Sequence, residues 1–198
     1  MSKKLLLNQA NLDTVRFVKH DGGEMPISGV HITEKYTEAT NGKCAIRLPL
    51  PDVDPEDFVA TPGEGVEGDI VLPVDILNSM KIPRKTHIPI LQNACLSKNE
   101  NHYYLSTTDL GTMSTAKAAP IEGKFPVIDK VTPTRKPGYS ITFNAKLLKE
   151  ICSYVAKYDS DYGKMKFSFY GETRAAKIDF ETAQGQKGFF LLMPMYEK

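Results

Sequence analysis

The chain has 198 residues, of which 41% are hydrophobic and 25% charged, the profile of a globular protein with room for one large domain or two small ones. Its formal net charge of +1 excludes a global field toward nucleic acid, so any such affinity must come from a local patch. The three cysteines, Cys44, Cys95 and Cys152, lie far apart with no CxxC and no histidine cluster, which argues against a disulfide framework or zinc site and for a reducing cytoplasm.

Residues 1–50 are the least regular part. Leu5-Leu6-Leu7, Leu12, Val15, Phe17 and Val18 fit neither the helical nor the strand period, so the segment reads as a short helix or an early strand. The apolar run is too short for a signal peptide or a membrane span. His20–Gly23 makes a turn. Val30–Thr33 reads as a strand, and Tyr36–Thr40 and Cys44–Leu48 flank Asn41-Gly42, a strong hairpin signal. Residues 49–68, rich in proline, glycine and acids, read as a long exposed loop.

A second unit begins at Asp69. Ile70–Leu72 is a strand and Pro73 starts a helix carried by Val74–Lys81 as far as Pro83. Strands follow at His87–Leu91, Ala94–Ser97, Tyr103–Thr107 and Met113–Ala118, and Gly123–Ile128 closes the unit. The third unit repeats this order. Tyr139–Phe143 alternates as a strand, Asn144 can cap, and Ala145–Lys157 is the clearest helix. Met165–Phe169 and Ile178–Phe180 alternate as strands. Gly185 turns into a last strand over Phe189–Met195, which reads either as buried on both faces or as ending in a methionine-lined pocket. A strand, a helix and a run of strands thus occur twice, an internal structural repeat.

On the best helix, Leu147, Leu148, Ile151, Cys152 and Val155 form an apolar stripe and Lys146, Lys149 and Lys157 the opposite side, which Glu150 shares. That face is either ordinary solvated surface or a set of lysines presented to a phosphate backbone. Lys81, Arg84 and Lys85 form a second small basic cluster after the other helix. No constellation for catalysis stands out. The four histidines are scattered, no GxSxG or phosphate-binding glycine motif occurs, and Asp159 and Asp161 fit a helix-ending turn as well as a metal site.

Three segments resemble the bacterial DNA polymerase III beta sliding clamp family. Ala39-Thr40-Asn41-Gly42-Lys43 is similar to its Ala-Thr-Asp-Gly hairpin. Gly123-Lys124-Phe125-Pro126, with Val131 and Pro133, resembles its Gly-x-Phe-Pro segment. Phe143–Leu148 with Leu191-Leu192-Met193-Pro194-Met195 is similar to its last helix and closing Met-Pro-Met. The resemblance covers most of residues 28–198 and points to a shortened, phage-type relative.

The resemblance implies an α+β DNA clamp (processivity) fold: repeated strand–helix–three-strand units, antiparallel sheets outside and helices on one face. It divides the chain into a clamp-like domain with an irregular first unit at 1–134 and a second clamp-like half-domain at 135–198. It implies a non-enzymatic processivity factor without cofactor or metal, working in the cytoplasm near the nucleoid, or in a host cytoplasm if phage-encoded. Such a protein encircles duplex DNA as a homo-oligomeric ring and tethers a polymerase, with clamp-loader peptides as further partners and no membrane. Lys81, Arg84, Lys85, Lys146, Lys149 and Lys157 would face DNA, and Thr40, Gly42, Pro126, Val131, Leu191, Met193, Pro194 and Met195 would wall a peptide pocket. Lys43-Cys44 departs from the family's His-Arg at the pocket rim. The chain is also shorter than the family's three-domain members, so ring closure needs more than two copies. Two other readings stand beside this one: a clamp-fold adaptor or inhibitor that binds replication peptides without encircling DNA, and an unrelated α+β enzyme with a site built from loops.

Overall fold

The computed structural model describes residues 3–20, 25–59, 61–83, 87–158 and 163–195. It divides into two compact units, Met1–Thr132 and Pro133–Lys198.

The N-terminal unit starts with strand β1 (Leu5–Asn8), which runs straight into helix α1 (Gln9–Leu12) and a 3-10 turn over Asp13–Phe17. Asn8 makes the switch possible. Its side chain accepts from the Asn11 amide at 3.0 Å, while the Asn11 side chain accepts from the Asn8 amide at 3.2 Å, so two orphan donors are satisfied reciprocally. The segment is therefore strand and helix in succession. Neither period shows in the sequence because each lasts only about one turn.

Strands β2 (Gly29–Ile32), β3 (Tyr36–Thr40) and β4 (Ala45–Pro49) follow, then β5 (Ile70–Pro73), α2 (Val74–Ser79), β6 (Asn93–Asn99), β7 (His102–Thr108) and β8 (Met113–Ala118). The β3–β4 turn forms as its Asn-Gly pair requires: the Asn41 side chain accepts from the Lys43 and Cys44 amides, and Gly42 takes a φ of +83°. Two corrections follow. His87–Leu91 is not a strand, because Pro89 opens a 3-10 turn over Pro89–Gln92 instead. The 49–68 stretch is not purely solvated either. Phe58 packs with Leu6 and Cys95, and Val66 joins the main core, so acidic residues hide two buried apolar anchors.

The unit has two half-repeats, each strand–helix–three strands, and they exchange first strands. One sheet has the order β4-β3-β2-β5 and the other β1-β6-β7-β8. Thus β1 pairs antiparallel with β6 (Leu7↔Ala94) and β5 with β2 (Val30↔Leu72). One core serves both halves, with Leu7, Val30, Ile32, Leu72, Leu96 and Leu105 fully buried.

The C-terminal unit holds α3 (Ala145–Tyr158), β9 (Met165–Ser168), β10 (Ala176–Glu181) and β11 (Lys187–Leu192), in sheet order β11-β10-β9. The Asn144 side chain accepts from the Lys146 amide at 2.9 Å, giving α3 the cap its sequence announces. Of the apolar stripe, Ile151 and Val155 are buried, whereas Leu147 is 53% exposed. Tyr139–Phe143 is not a strand: it contributes only the isolated bridge of Thr142 to Met195. Among the described residues, Ile151, Ile178 and Leu192 form its buried core.

Candidate functional site

In the N-terminal unit a cavity of about 490 Å³ opens between the β2–β4 sheet and the chain from Pro120 to Asp129. Cross-strand register places its polar wall. His31 faces Glu38 and Glu38 faces Arg47, so one residue from each of β2, β3 and β4 forms a row. The Glu38 side chain is only 3% exposed, and it accepts from His31 Nδ1 at 2.9 Å and from Arg47 Nε. Arg47 also donates to Asp129 at 2.7 Å and lies over the Tyr36 ring at 4.4 Å. The hydrogen bonds to Asp129 and Glu38 push the guanidinium pKa up, and the bond from Arg47 holds the Asp129 carboxyl below its ordinary value.

Phe125 completes the wall, stacking on His31 at 4.7 Å between centroids. Gly123 has a φ of +119°, and a Cβ there would lie 2.7 Å from Pro26 Cγ, so this turn demands glycine. In this arrangement one cation, Arg47, is shared by two carboxylates. Among the described residues no group of three or more potential metal ligands gathers, here or elsewhere. What the row does is tie the Gly-Lys-Phe-Pro segment to the hairpin sheet. The sequence reading missed His31, Glu38 and Arg47; counting outward from Asn41-Gly42 would set Glu38 opposite Ala45, whereas the ladder begins at Thr40↔Ala45 and sets Glu38 opposite Arg47.

Of the residues expected to wall a peptide pocket, Pro126 lines this cavity. Thr40 and Gly42 lie in the β3–β4 turn, where the Thr40 hydroxyl donates to the Cys44 carbonyl at 2.7 Å and accepts from the Gly42 amide at 3.1 Å. Val131 follows the 3-10 turn Ile128–Lys130 and is 75% exposed.

The other four lie in the C-terminal unit, at and beyond the end of β11. This strand is buried on one face only: Phe189 and Leu191 stand out at 58% and 64% exposure, and Leu192 is buried. Past it Met193 is 60% and Met195 51% exposed, with Pro194 buried between them. The Met195 amide donates to the Thr142 carbonyl at 2.8 Å, which pins the tail by its backbone and leaves both methionine side chains outward.

The cationic candidates divide as well. Lys146, Lys149 and Lys157 are exposed on α3, and Lys81 is exposed just past α2. Arg84 and Lys85 lie outside the described residues, as do Asp159 and Asp161. The exposed positions of α2 itself are Asp75, Asn78 and Ser79, so that helix presents no cation. No helix among the described residues is long and apolar enough to cross a membrane.

No protein-family model matches the sequence, and no curated protein matches it by sequence. Solved structures do match. The Caulobacter crescentus beta sliding clamp superposes with a TM-score of 0.63 at 12% identity, over 100% of this chain and 52% of that one. The beta subunit of DNA polymerase III from Borrelia burgdorferi gives 0.64 at 16% identity, over 96% of this chain and 48% of its own. The Streptococcus pneumoniae beta chain gives 0.64 at 16% identity, over 99% and 50%. The chain therefore has the fold of the bacterial DNA polymerase III beta sliding clamps, in a form that spans about half their length.

Proposed function

We propose that this chain is a processivity factor: a non-enzymatic clamp that closes into an oligomeric ring around duplex DNA and tethers a polymerase through an apolar peptide-binding surface. The observation that carries this reading is the combination of a clamp fold with exposed Lys146, Lys149 and Lys157 on the longest helix. Lysines make sequence-neutral phosphate contacts, often through water, and such contacts hold a duplex without fixing position along it. The exposed Leu191, Met193 and Met195 supply an adaptable surface for peptides, with Thr40, Gly42, Pro126 and Val131 as the further proposed contacts. Lys81, Arg84 and Lys85 would add to the DNA-facing charge. Replication partners would place the protein at the nucleoid, in a cytoplasm.

A second reading is favoured by α2, whose exposed residues carry Asp75 and no cation. In that reading the chain is a clamp-fold adaptor that binds replication peptides without encircling DNA. Incubation with a small nicked circular plasmid, followed by gel filtration, separates the two. A ring co-elutes with the circle in moderate salt and is lost when the plasmid is linearised, because retention is topological. Equal retention on circular and linear DNA, or none on either, rejects the ring.

A further inference from the structure

The turns that join the last two strands of each half-repeat in the N-terminal unit are built alike. In the β7–β8 turn the Thr108 hydroxyl donates to the Thr112 carbonyl at 2.8 Å and accepts from the Leu110 amide at 3.0 Å, as Thr40 does with Cys44 and Gly42. The Asp109 side chain accepts from the Gly111 and Thr112 amides at 3.0 and 2.6 Å, as Asn41 does from those of Lys43 and Cys44. Each turn is closed by a backbone bond of 3.3 Å, from Asn41 to Cys44 and from Asp109 to Thr112.

They differ at one place. The left-handed position holds Gly42 at a φ of +83° in one turn and Leu110 at +75° in the other. That backbone suits glycine and is costly for a residue with a Cβ. A glycine does stand next door, but Gly111 has no positive φ, and a Cβ there would meet only an Asp109 carboxylate oxygen at an ordinary 3.6 Å. The order Leu-Gly thus holds strain that a glycine at the first of the two positions would relieve. Burial does not offset it, since Leu110 is 62% exposed and Met113, three residues on, 41%. Strain held in a fixed hydrogen-bond frame, with an apolar side chain left in solvent, is a mark of a functional site. What the frame yields is a rigid apolar knob, which docks without further loss of backbone freedom.

The C-terminal unit carries a surface that fits it. The Phe169 ring lies 6.5 Å from Tyr139, 6.4 Å from Phe143 and 6.1 Å from Phe167 between centroids, and Tyr139, Phe167 and Phe169 are 49%, 37% and 43% exposed. Contiguous exposed aromatic surface is suited to an interface. Charge points the same way. Met1–Thr132 has 14 Lys and Arg against 17 Asp and Glu, and Pro133–Lys198 has 11 against 7, so the units carry net charges of −3 and +4. The knob stands on the acidic unit beside Asp109, whose carboxyl is held below its ordinary pKa by the Thr112 amide and hydroxyl and the Gly111 amide, and the aromatic patch stands on the basic unit.

We propose that copies of this chain associate head to tail, the β7–β8 turn of one seating Leu110 among Tyr139, Phe167 and Phe169 of the next. The occupant is a second copy because each chain carries one knob and one patch, on units of opposite charge, and a heterologous contact of that kind repeats from copy to copy. The inference rests on the oligomeric part of the proposed function and adds which surfaces meet.

Light scattering of the full chain without DNA tests it. The wild type has a mass that is a multiple of the 22.0 kDa chain. Leu110→Gly and Leu110→Asn fall to the mass of one chain while their urea midpoints hold or rise, because both residues accept a left-handed backbone. A purely structural role for Leu110 would instead lower the midpoint and keep the mass. Phe169→Asp dissociates the protein from the patch side, with Tyr139→Asp in its place if circular dichroism shows the first to be unfolded. Mixing Leu110→Gly with the folded patch variant restores a species of two chains, since one keeps the patch and the other the knob; no such species overturns the head-to-tail contact. A wild type that is oligomeric, with a Leu110→Gly or folded patch variant of unchanged mass, overturns this contact and leaves the ring standing. A monomeric wild type overturns both.

Discussion

Arg47 and Asp129 stand 82 positions apart in sequence, yet a 2.7 Å hydrogen bond joins them, and it is through Arg47 that Glu38 is bonded to the loop beyond Phe125. The two carboxylates differ in setting. Glu38 is buried at 3% side-chain exposure, whereas Asp129 is 64% exposed. Removing the shared cation therefore costs at the Glu38 end. Arg47→Ala leaves that carboxylate with His31 alone and lowers stability by about 1–2 kcal/mol, while Asp129→Asn, at a solvated carboxylate, changes it far less. Urea unfolding followed by circular dichroism checks both. A neutral Arg47→Ala would mean that Glu38 is solvated.

Acidification acts on the same link. Asp129 has a depressed carboxyl pKa, so its contribution is present above the ordinary carboxylate range and is lost as pH falls through the folded value. Arg47 is raised further from a value already high, so it stays charged throughout and adds no slope. Amide exchange of the Gly123–Val131 segment should rise below about pH 4, where carboxylates protonate, before the core strands lose protection. With Asp129→Asn that early step should vanish. An unchanged step in the variant would assign it to another carboxylate.

Gly29 is tested by alanine. Its φ is ordinary for an extended residue, so backbone strain is not the issue; space is. A Cβ would come within 2.6 Å of the Leu72 carbonyl oxygen and 2.7 Å of Ile121 Cδ1, at the point where β2 receives the exchanged strand. The carbonyl belongs to the β2–β5 ladder and cannot move alone. Gly29→Ala should cost about 1–3 kcal/mol, as overpacking does, read from the shift in the denaturant midpoint at constant m value. Gly42→Ala offers a contrast, since nothing lies within 4 Å and only its φ of +83° opposes the side chain.

Much of this fold was legible from local pattern. The Asn41-Gly42 hairpin, the capped α3, and strands β6 to β11 all lie where turn residues and alternation put them. What local pattern does not carry is the identity of a strand's neighbour. Leu5–Leu7 and Ile70–Leu72 announce burial, but nothing in either run says that each leaves its own half-repeat for the other. Tyr139–Phe143 shows the converse: it alternates as a strand should, yet enters no sheet. The Glu38–Arg47 pair depends on a register two residues away from the one centred on Asn41-Gly42, and Asp129 reaches it by a long-range approach that no spacing rule reports. Phe58 and Val66 were hidden because their acidic, proline-rich surroundings outweighed them.

Charge on α3 gives a graded test of DNA contact. Lys146 and Lys149 are exposed on α3, and Glu150 tempers the same face. Lys146→Glu with Lys149→Glu should weaken equilibrium binding to a short linear duplex at low salt at least tenfold and flatten its dependence on salt, since fewer counterions are released. The stability of the chain should change little, because both side chains are solvated. Duplex affinity and a salt slope that survive the reversal would remove these lysines from the DNA face.

The tail gives the sharpest test of the peptide surface. Met193 and Met195 are 60% and 51% exposed, and the tail is held by the backbone bond from Met195 to Thr142 instead of by either side chain. Truncating both therefore removes contact area without disturbing what positions it. Met193→Ala with Met195→Ala should keep the thermal transition within a few degrees and weaken a fluorescein-labelled clamp-binding peptide about tenfold or more, as loss of two apolar contacts predicts. Pro194→Gly separates contact from positioning. It keeps both methionines but frees the backbone between them, so affinity should fall through entropy while the side-chain chemistry is intact. Anisotropy titrations of the three proteins rank them. Equal affinity across all three would place the peptide surface elsewhere on the chain.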